Sequence, residues 1–284
     1  GLRTKKSIFK AEQSFAVQAV AVDLDGKRVS GRPIVIRAMK TVTKRKMVKK
    51  GKYWSYKYST ERKEVTRCKL TSAAAVRSCR MRMAKPGYYE LDAQTTDAQG
   101  RKTLTRRGIY VAGKSFIPWK QHNMNRIELV SDKKKYTVGE HAQILIKNPF
   151  RRARGILAVE HNGIVEHRYL DLSSSTHVEK IKLTEKEIPN VLVSVALVRG
   201  RVKAPKGAPG NDPGRPLFAS GRIGLKISKK SRRIRVAVKP DRSELRPGQS
   251  FHLTLKTTDH QGKPVPARVA VMLVDEGVLS LLGF

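Results

Sequence analysis

Cysteine and aromatic residues are scarce in this 284-residue sequence, which has two cysteines and 6% aromatics. Two cysteines cannot supply the roughly four ligands of a structural zinc site. Few aromatics argue against a nucleic-acid module, because such modules interleave aromatic side chains with clustered basic residues. No apolar run reaches the ~18 residues that a membrane-spanning helix needs.

A natural leader is also missing from the start of the sequence. The first residue is Gly1 rather than Met, and no charged-then-apolar segment follows it. The last residues, Leu281-Leu282-Gly283-Phe284, are apolar and stop abruptly. We interpret the sequence as a piece of a longer chain.

Acidic residues are outnumbered, with 23 Asp and Glu against 60 Lys and Arg and a formal net charge of +37. A dense basic stretch spans 44–69 and includes Lys44, Arg45, Lys46, Lys49, Lys50 and Lys52. The excess continues along the whole chain, which favours a solvated basic surface suited to an anionic envelope. Specific binding to a polyanion stays open as an alternative.

The two cysteines, Cys68 and Cys79, are separated by ten residues. Two isolated cysteines one short hairpin apart predict a disulfide. A disulfide indicates an oxidising compartment such as the periplasm or the cell exterior. Two unpaired core thiols are the alternative.

Apolar residues recur with a period of two, and helical periodicity is nearly absent. This alternation predicts strands around 20–24, 34–36, 88–92, 109–111, 142–146, 156–160, 164–166, 191–197, 234–238, 251–255 and 269–273. Asn162-Gly163 lies between two of them and is the strongest hairpin signal. Short strands separated by turn residues predict an all-β fold of tandem antiparallel sandwiches.

Three units follow one another along the chain. We place the first at 1–114, a linker with Pro118 and Trp119 at 115–125, and the second at 126–230. The third, 231–284, is too short for a whole sandwich, so we expect a partial domain. Asp-x-x-Gly recurs at 23–26, 97–100 and 259–262, which is ordinary type I turn chemistry.

No residue set predicts a nucleotide or metal site. The segment 207–214 is rich in glycine but lacks the strand and helix that flank a phosphate-binding loop. Histidines and carboxylates cluster once, on the predicted hairpin, as Glu160, His161, Glu166 and His167. A metal could bind there, although a polar outer face is the simpler interpretation.

Catalytic constellations are not predicted either. The serines at 173–175 and His177 share a polar stretch without the geometry of a nucleophile and its base. Asp275 and Glu276 are adjacent on an extended chain, so their side chains point to opposite sides. We therefore expect no enzyme activity, no cofactor and no metal.

The end of the chain resembles a signature of the α2-macroglobulin family. Residues 271–281 read Val-Met-Leu-Val-Asp-Glu-Gly-Val-Leu-Ser-Leu, similar to that family's Val-Asp-Glu-x-Val-Leu strand. The matching positions are Asp275, Glu276, Val278 and Leu279. Pro247-Gly248 resembles the opening turn of the same domain, and Gly262-Lys263-Pro264 resembles its hairpin.

The earlier units also carry motifs of this family. Tyr136 and Gly139 resemble the Tyr-x-x-Gly-Asp-x-Ala motif, and Pro149-Phe150 resembles the Pro-Phe pair that follows it. In the first unit, Cys68 and Cys79 resemble the single disulfide of a bacterial macroglobulin domain. The resemblance covers nearly the whole chain and implies macroglobulin-like sandwiches of the immunoglobulin or fibronectin III kind.

The resemblance implies a function carried by a longer protein. Family members inhibit endopeptidases by offering a bait, whose cleavage triggers a rearrangement that entraps the protease. Many also carry a Cys-x-Glu-Gln thioester, but Glu12-Gln13 follow Lys10-Ala11 with no cysteine in place. The bait is expected beyond Phe284. This piece is then scaffold, and the third unit is the start of the bait-region domain.

Partners and location follow from the same resemblance. The expected partners are target endopeptidases, through the full-length protein, and other macroglobulin domains of the same chain. We expect no specific nucleic acid, and a periplasmic, envelope or extracellular location. Pro118-Trp119 and the loop 203–216 are candidate adjustable seams between units. A structural or adhesive array that binds anionic surfaces is the alternative function.

Overall fold

The structure is a computed structural model that describes residues 1–51, 53–119, 125–203, 212, 214–244, 248–274 and 276–282. It is all-β apart from short helical segments, as the alternation of apolar residues predicts. The chain divides into two compact units, Gly1–Ile227 and Ser228–Phe284. The first unit contains two sandwiches.

The first sandwich contains eight strands in two sheets. Their bounds are β1 (Leu2–Thr4), β2 (Ile8–Lys10), β3 (Ser14–Ala19), β4 (Pro33–Lys50), β5 (Tyr53–Thr71), β6 (Arg77–Arg82), β7 (Gly87–Thr96) and β8 (Lys102–Ala112). One sheet has the order β1-β3-β6 and the other β2-β8-β7-β4-β5. Alternate residues such as Val17, Ile36 and Leu91 point inward and form one buried cluster.

A disulfide joins Cys68 on β5 to Cys79 on β6, with the two Cα atoms 6.6 Å apart. The predicted bond is therefore confirmed. The sequence predicts that the two cysteines lie one hairpin apart. However, β5 and β6 do not form a hairpin, because they belong to different sheets. The bond thus ties the two sheets together at their edges.

Strands β4 and β5 continue well beyond the sheet as a two-stranded hairpin. The ladder between β4 and β7 ends at the pair Lys40 and Tyr89. Residues 41–50 then pair only with 53–62 of β5. We call these two segments the basic arm. A bulge between Ala38 and Met39 lies at its root, where it increases the local twist of the strands.

The second sandwich contains seven strands in two sheets. Their bounds are β9 (Leu129–Ser131), β10 (His141–Lys147), β11 (Ala153–Glu160), β12 (Ile164–Leu172), β13 (Thr176–Lys182), β14 (Asn190–Arg199) and β15 (Leu217–Lys226). The sheet orders are β13-β10-β9 and β12-β11-β14-β15. Inward residues of both sheets, among them Ile144, Leu157 and Val193, form the second buried cluster.

The predicted hairpin at Asn162-Gly163 is present between β11 and β12. Asn162 has φ 54° and Gly163 has φ 124°, the positive values that tight hairpin turns require. The strands on either side pair antiparallel, with a register shift between Val159 and Glu160 next to the turn.

The repeated Asp-x-x-Gly segments form the predicted turns. In each, the glycine N–H donates to the carbonyl of the aspartate, at 3.2 Å for Gly26, 3.2 Å for Gly100 and 3.1 Å for Gly262. All three glycines have φ between 79° and 87°. The aspartate carboxylate accepts the N–H four residues further on, which closes each turn.

One predicted strand of the first sandwich is misplaced. The alternation around 20–24 predicts a strand, but β3 ends at Ala19 and Val22 makes only an isolated bridge with Arg28. Leu24 is fully exposed at 106%. The inward-pointing apolar residues lie earlier in the chain, on β3, and include Phe15. The residues around Asp23 form a turn instead of a strand.

The C-terminal unit has strands β16 (Arg235–Pro240) and β17 (Leu253–Thr258) and a helix α1 (Glu276–Leu282). The two strands pair antiparallel with each other. The predicted strand at 269–273 is wrong, since those residues have no regular structure. Val278 and Leu279 lie on α1 rather than on a strand. A strand needs a neighbour for its N–H and C=O groups, whereas a helix satisfies these groups internally.

Among the described residues, no helix combines the length and the apolar character that crossing a bilayer requires.

Candidate inter-domain seam

The two sandwiches of the first unit meet along a line of contacts that we call the seam. At one end lies Ser7, between β1 and β2. Its N–H donates to the carbonyl of Asp132 at 3.2 Å. Its hydroxyl lies 3.1 Å from the carbonyl oxygens of both Ser131 and Asp132. The start of the first sandwich is thereby held against the end of β9.

Gly113 and Thr176 hold the seam together where β8 ends and β13 begins. The Gly113 N–H donates to the Thr176 hydroxyl oxygen at 2.9 Å. The same hydroxyl donates to the Gly113 carbonyl at 2.8 Å. Thr176 is buried, so both partners satisfy groups that water cannot reach.

Ser175 anchors the segment that follows β8. The Ile117 N–H donates to its hydroxyl oxygen at 2.7 Å, and the Trp119 indole N–H donates to its carbonyl at 2.7 Å. Ser175 has 0% exposure. Ile117 and Trp119 of the predicted linker are therefore hydrogen-bonded to the second sandwich.

The ammonium group of Lys147 lies over two neighbouring aromatic rings. Its Nζ lies 4.9 Å from the centroid of Tyr110 and 5.0 Å from that of Trp119, within the range of a cation–π contact. Glu128 accepts from the same ammonium at 2.5 Å. Burial, with a further contribution from Glu128, raises the pKa of Tyr110 to about 12.

Tyr136 supports the seam from inside the second sandwich. Its hydroxyl donates to Asp132 Oδ1 at 2.7 Å, and the same oxygen accepts the Gln143 N–H at 3.0 Å. Burial and the hydrogen bond to the carboxylate raise the pKa of Tyr136. Asp132, which receives Ser7 from the first sandwich, is thus held in place by the tyrosine of the predicted motif.

The other motif residues of the second sandwich shape its loops. Gly139 has φ 87°, a value that glycine adopts readily. Phe150 is buried in the core, and its N–H donates to Asn148 Oδ1 at 3.0 Å. Pro149 lies between these two residues. Asn148 Nδ2 in turn donates to the Ser174 carbonyl at 3.1 Å, next to the seam serine.

Glu140, beside Gly139, closes the turn of the same motif. Lys133 Nζ donates to its carboxylate at 2.6 Å, and the Thr137 N–H donates at 3.0 Å. The hydrogen bond from Lys133, followed by that from Thr137, lowers the pKa of Glu140.

The apolar cores stop short of the seam. The buried residues of the two sandwiches form two separate clusters. Hydrogen bonds and ring contacts cross between the two sandwiches. Within the described residues, the seam is therefore a polar and aromatic interface between two separately packed cores.

The remaining motif residues lie in the C-terminal unit. Gly248 has φ 85° and occupies a turn. Pro247 and Asp275 lie outside the described residues. Glu276 begins α1, on which Val278 is exposed and Leu279 is half-buried. The roles that the resemblance assigns to these residues stay predictions.

The candidate metal and catalytic residues have other partners. His161 Nδ1 lies 2.8 Å from the Asn190 carbonyl, and Glu166 pairs with Arg168. His177 Nε2 lies 2.6 Å from Glu179 Oε1. Over the part of the chain that the structure describes, no three His, Cys, Asp or Glu residues are grouped so as to hold a metal.

Sequence reasoning missed most seam residues. It singled out Trp119 but not Ser7, Asp132 or Lys147, and it considered the serines at 173–175 only for catalysis. Their partners are far away in sequence, with separations of 124 residues for Ser7 and Ser131 and 58 for Ile117 and Ser175. No local pattern marks such pairs.

Comparison with known proteins identifies the class of these sandwiches. Residues 127–281 match the family model described as the alpha-2-macroglobulin bait region domain. Residues 1–111 match the model described as bacterial macroglobulin domain 6. The chain is thus an array of macroglobulin-type β-sandwiches. It belongs to the α2-macroglobulin family, because the first of these models alone matches more than half of its 284 residues.

The chain is similar to an alpha-2-macroglobulin homolog of Nostoc sp., with 26% identity over 283 residues, which cover 98% of this chain and 14% of that protein. It is 28% identical to an alpha-2-macroglobulin of Xylella fastidiosa over 160 residues, covering 56% of this chain and 9% of that protein. The native conformation of E. coli alpha-2-macroglobulin aligns with a TM-score of 0.34 at 16% identity, covering 100% of this chain and 18% of that chain. The chain therefore spans a small part of the length of these relatives.

Proposed function

We propose that this chain is a non-enzymatic scaffold within a longer protein that inhibits endopeptidases by entrapping them after bait cleavage. Family membership carries this proposal, together with the match of the bait region domain over 127–281. The partners would be target endopeptidases, through the full-length protein, and other macroglobulin domains of the same chain.

The seam gives the scaffold a mechanical role in this proposal. Each sandwich buries its own apolar core, and such cores deform little because they are close-packed. The seam consists of separate hydrogen bonds and ring contacts, which can break and re-form as units. Interfaces of this kind have discrete arrangements, so a cleavage elsewhere in the protein can shift one sandwich against the other.

We assign structural roles to the motif residues. Tyr136 positions Asp132 for the seam, Gly139 allows the turn before β10, and Pro149-Phe150 caps the core after β10. Pro247, Gly248, Asp275, Glu276, Val278 and Leu279 would act similarly in the domain that follows. The domain limits at 114, 126, 230 and 231 remain part of this proposal.

The protein would act outside the reducing cytosol, in the periplasm, the envelope or the exterior. The disulfide between Cys68 and Cys79 supports this location, because such bonds persist in oxidising compartments.

The direct test is an entrapment assay on the full-length protein. An endopeptidase incubated with it should lose activity on a large protein substrate while it still cleaves a small peptide, because a cage excludes only the large one. Unchanged cleavage of both substrates would contradict the proposal and favour an adhesive array. Loss of both activities would point to blockade of the active site instead of entrapment.

A further inference from the structure

The basic arm is a strongly charged feature that the seam does not use. Residues 41–60 contain seven Lys or Arg and no Asp or Glu. The arm extends ten residues past the last partner of β4 on β7, about 34 Å at the rise of an antiparallel strand. None of its described side chains between 41 and 60 is buried.

The strand register concentrates lysines on one face of the arm. Side chains of directly opposed residues share a face, and so do those of alternate residues along a strand. Lys46 is opposed to Lys57, and Lys44 is opposed to Ser59. These three lysines therefore lie on one face, and all three are exposed.

The acidic residues at the root do little to neutralise this face. Glu61 lies 3.8 Å from Lys44 and 3.5 Å from Lys63, and all three side chains are more than half exposed, so the pairs are weak. Arg62, on the other face, is held by Glu90 at 2.8 Å and by Asp92 at 2.9 Å. Arg62 is thus neutralised, whereas the described lysines of the lysine face keep most of their charge.

Repulsion between directly opposed lysines destabilises the strand pairing of the arm. Like charges directly across a strand pair destabilise it, and an isolated two-stranded hairpin is itself marginal in water. An external anionic surface would remove this repulsion. The direct opposition of Lys46 and Lys57 is therefore typical of a binding surface rather than of a structural one.

We propose that the lysine face of the basic arm docks on the anionic headgroups of a lipid bilayer. The disulfide between Cys68 and Cys79 indicates a non-cytosolic protein, for which membranes are an extended anionic surface. This docking does not depend on protease entrapment.

The test measures binding of the 284-residue chain to vesicles of phosphatidylcholine with phosphatidylglycerol, and to vesicles of phosphatidylcholine alone. We expect binding to the anionic vesicles only, weakening as salt rises. A lysine near an anionic bilayer contributes about fivefold in affinity. The triple variant Lys44→Ala, Lys46→Ala and Lys57→Ala should then lose about 100-fold.

A matched triple variant removes the same charge elsewhere. Lys102, Lys134 and Lys182 are exposed on the two sandwiches. Lys102 pairs with Thr96, at the end of β7 opposite to the arm. Changing these three to Ala should reduce binding by less than about threefold, since lysines far from the membrane contribute little.

A single variant separates binding from folding. Lys46→Glu places opposite charges across the strand pair with Lys57, so the melting temperature should stay unchanged or rise while vesicle binding falls further than with Lys46→Ala.

Three results would overturn the proposal. They are no binding to anionic vesicles, equal losses in the two triple variants, and displacement from the vesicles by duplex DNA at equal phosphate concentration. The last result would assign the arm to nucleic acid.

Discussion

The indole N–H of Trp119 donates a hydrogen bond to the backbone carbonyl of Ser175 at 2.7 Å. This bond joins the segment after the first sandwich to a buried loop of the second. The side chain of the same serine accepts the Ile117 N–H. Ser175 therefore secures two points of the connecting segment at once.

Ser175→Ala should weaken the seam. The variant keeps the bond from Trp119, but it leaves the Ile117 N–H without its partner, at a cost of about 1–3 kcal/mol. Chemical denaturation should show this loss, or hydrogen exchange should show faster opening of Ile117. Ser173→Ala is the control, because Ser173 is exposed and should change stability by less than about 0.5 kcal/mol. Equal stability of the two variants would mean that the seam bond contributes nothing.

Two glycines of β15 provide a matched pair for packing. A Cβ at Gly221 would fall on the backbone carbonyl oxygen of Ile127, whereas a Cβ at Gly224 would meet open space. Gly221→Ala should cost about 1–3 kcal/mol through overpacking. Gly224→Ala should be neutral or should stabilise by up to about 1 kcal/mol. Thermal unfolding compares the two, and a reversed order would contradict the close approach of residue 127 to the sheet.

The disulfide should stabilise the first sandwich through its short loop. Replacing Cys68 and Cys79 together by Ser should cost about 2–3 kcal/mol, because the unfolded chain loses a cross-link. Denaturation of the variant measures this cost, and the wild type under reducing conditions should show the same loss. An unchanged midpoint in both would show that the bond does not constrain the unfolded chain.

Acid should weaken the second sandwich through Glu140. Its folded-state pKa lies below the ordinary value of 4.5, so its contribution to stability is present above that value and is lost as the pH falls through the folded pKa. Glu140→Gln should therefore flatten the fall of the melting temperature between about pH 5 and pH 3. If the melting temperature falls equally steeply with pH in the wild type and in Glu140→Gln, the role of the Lys133 contact is contradicted.

Strands whose burial alternates were predictable from sequence. Ala142, Ile144 and Ile146 point into the core, and their recurrence at every second position of the sequence predicts this directly. The basic arm escaped prediction because its described side chains between 41 and 62 are exposed or half-buried and show no apolar period. Its two strands form by pairing with each other, and a run of charged residues carries no sequence signal for that pairing.

Neither the conformation of the C-terminal segment nor the seam could be predicted from local sequence patterns, for different reasons. Val278 and Leu279 resemble a strand motif, yet they lie on a helix, because the conformation of a short apolar segment depends on its neighbours. Ser7 and Asp132 are ordinary polar residues whose pairing depends on how two sandwiches meet. Tyr136 was identified only through the family motif, and its bond to Asp132 gives a physical reason for that position.

Native-state hydrogen exchange tests most directly whether the seam is adjustable, with the amides of Gly113 and Ile117 compared with core amides such as Ile144 and Leu157. We predict that the seam amides exchange through an opening of lower free energy than global unfolding, because the two cores stay folded while the polar contacts separate. Seam amides as protected as those of the core strands would contradict it. The two sandwiches would then form one rigid body with no adjustable interface.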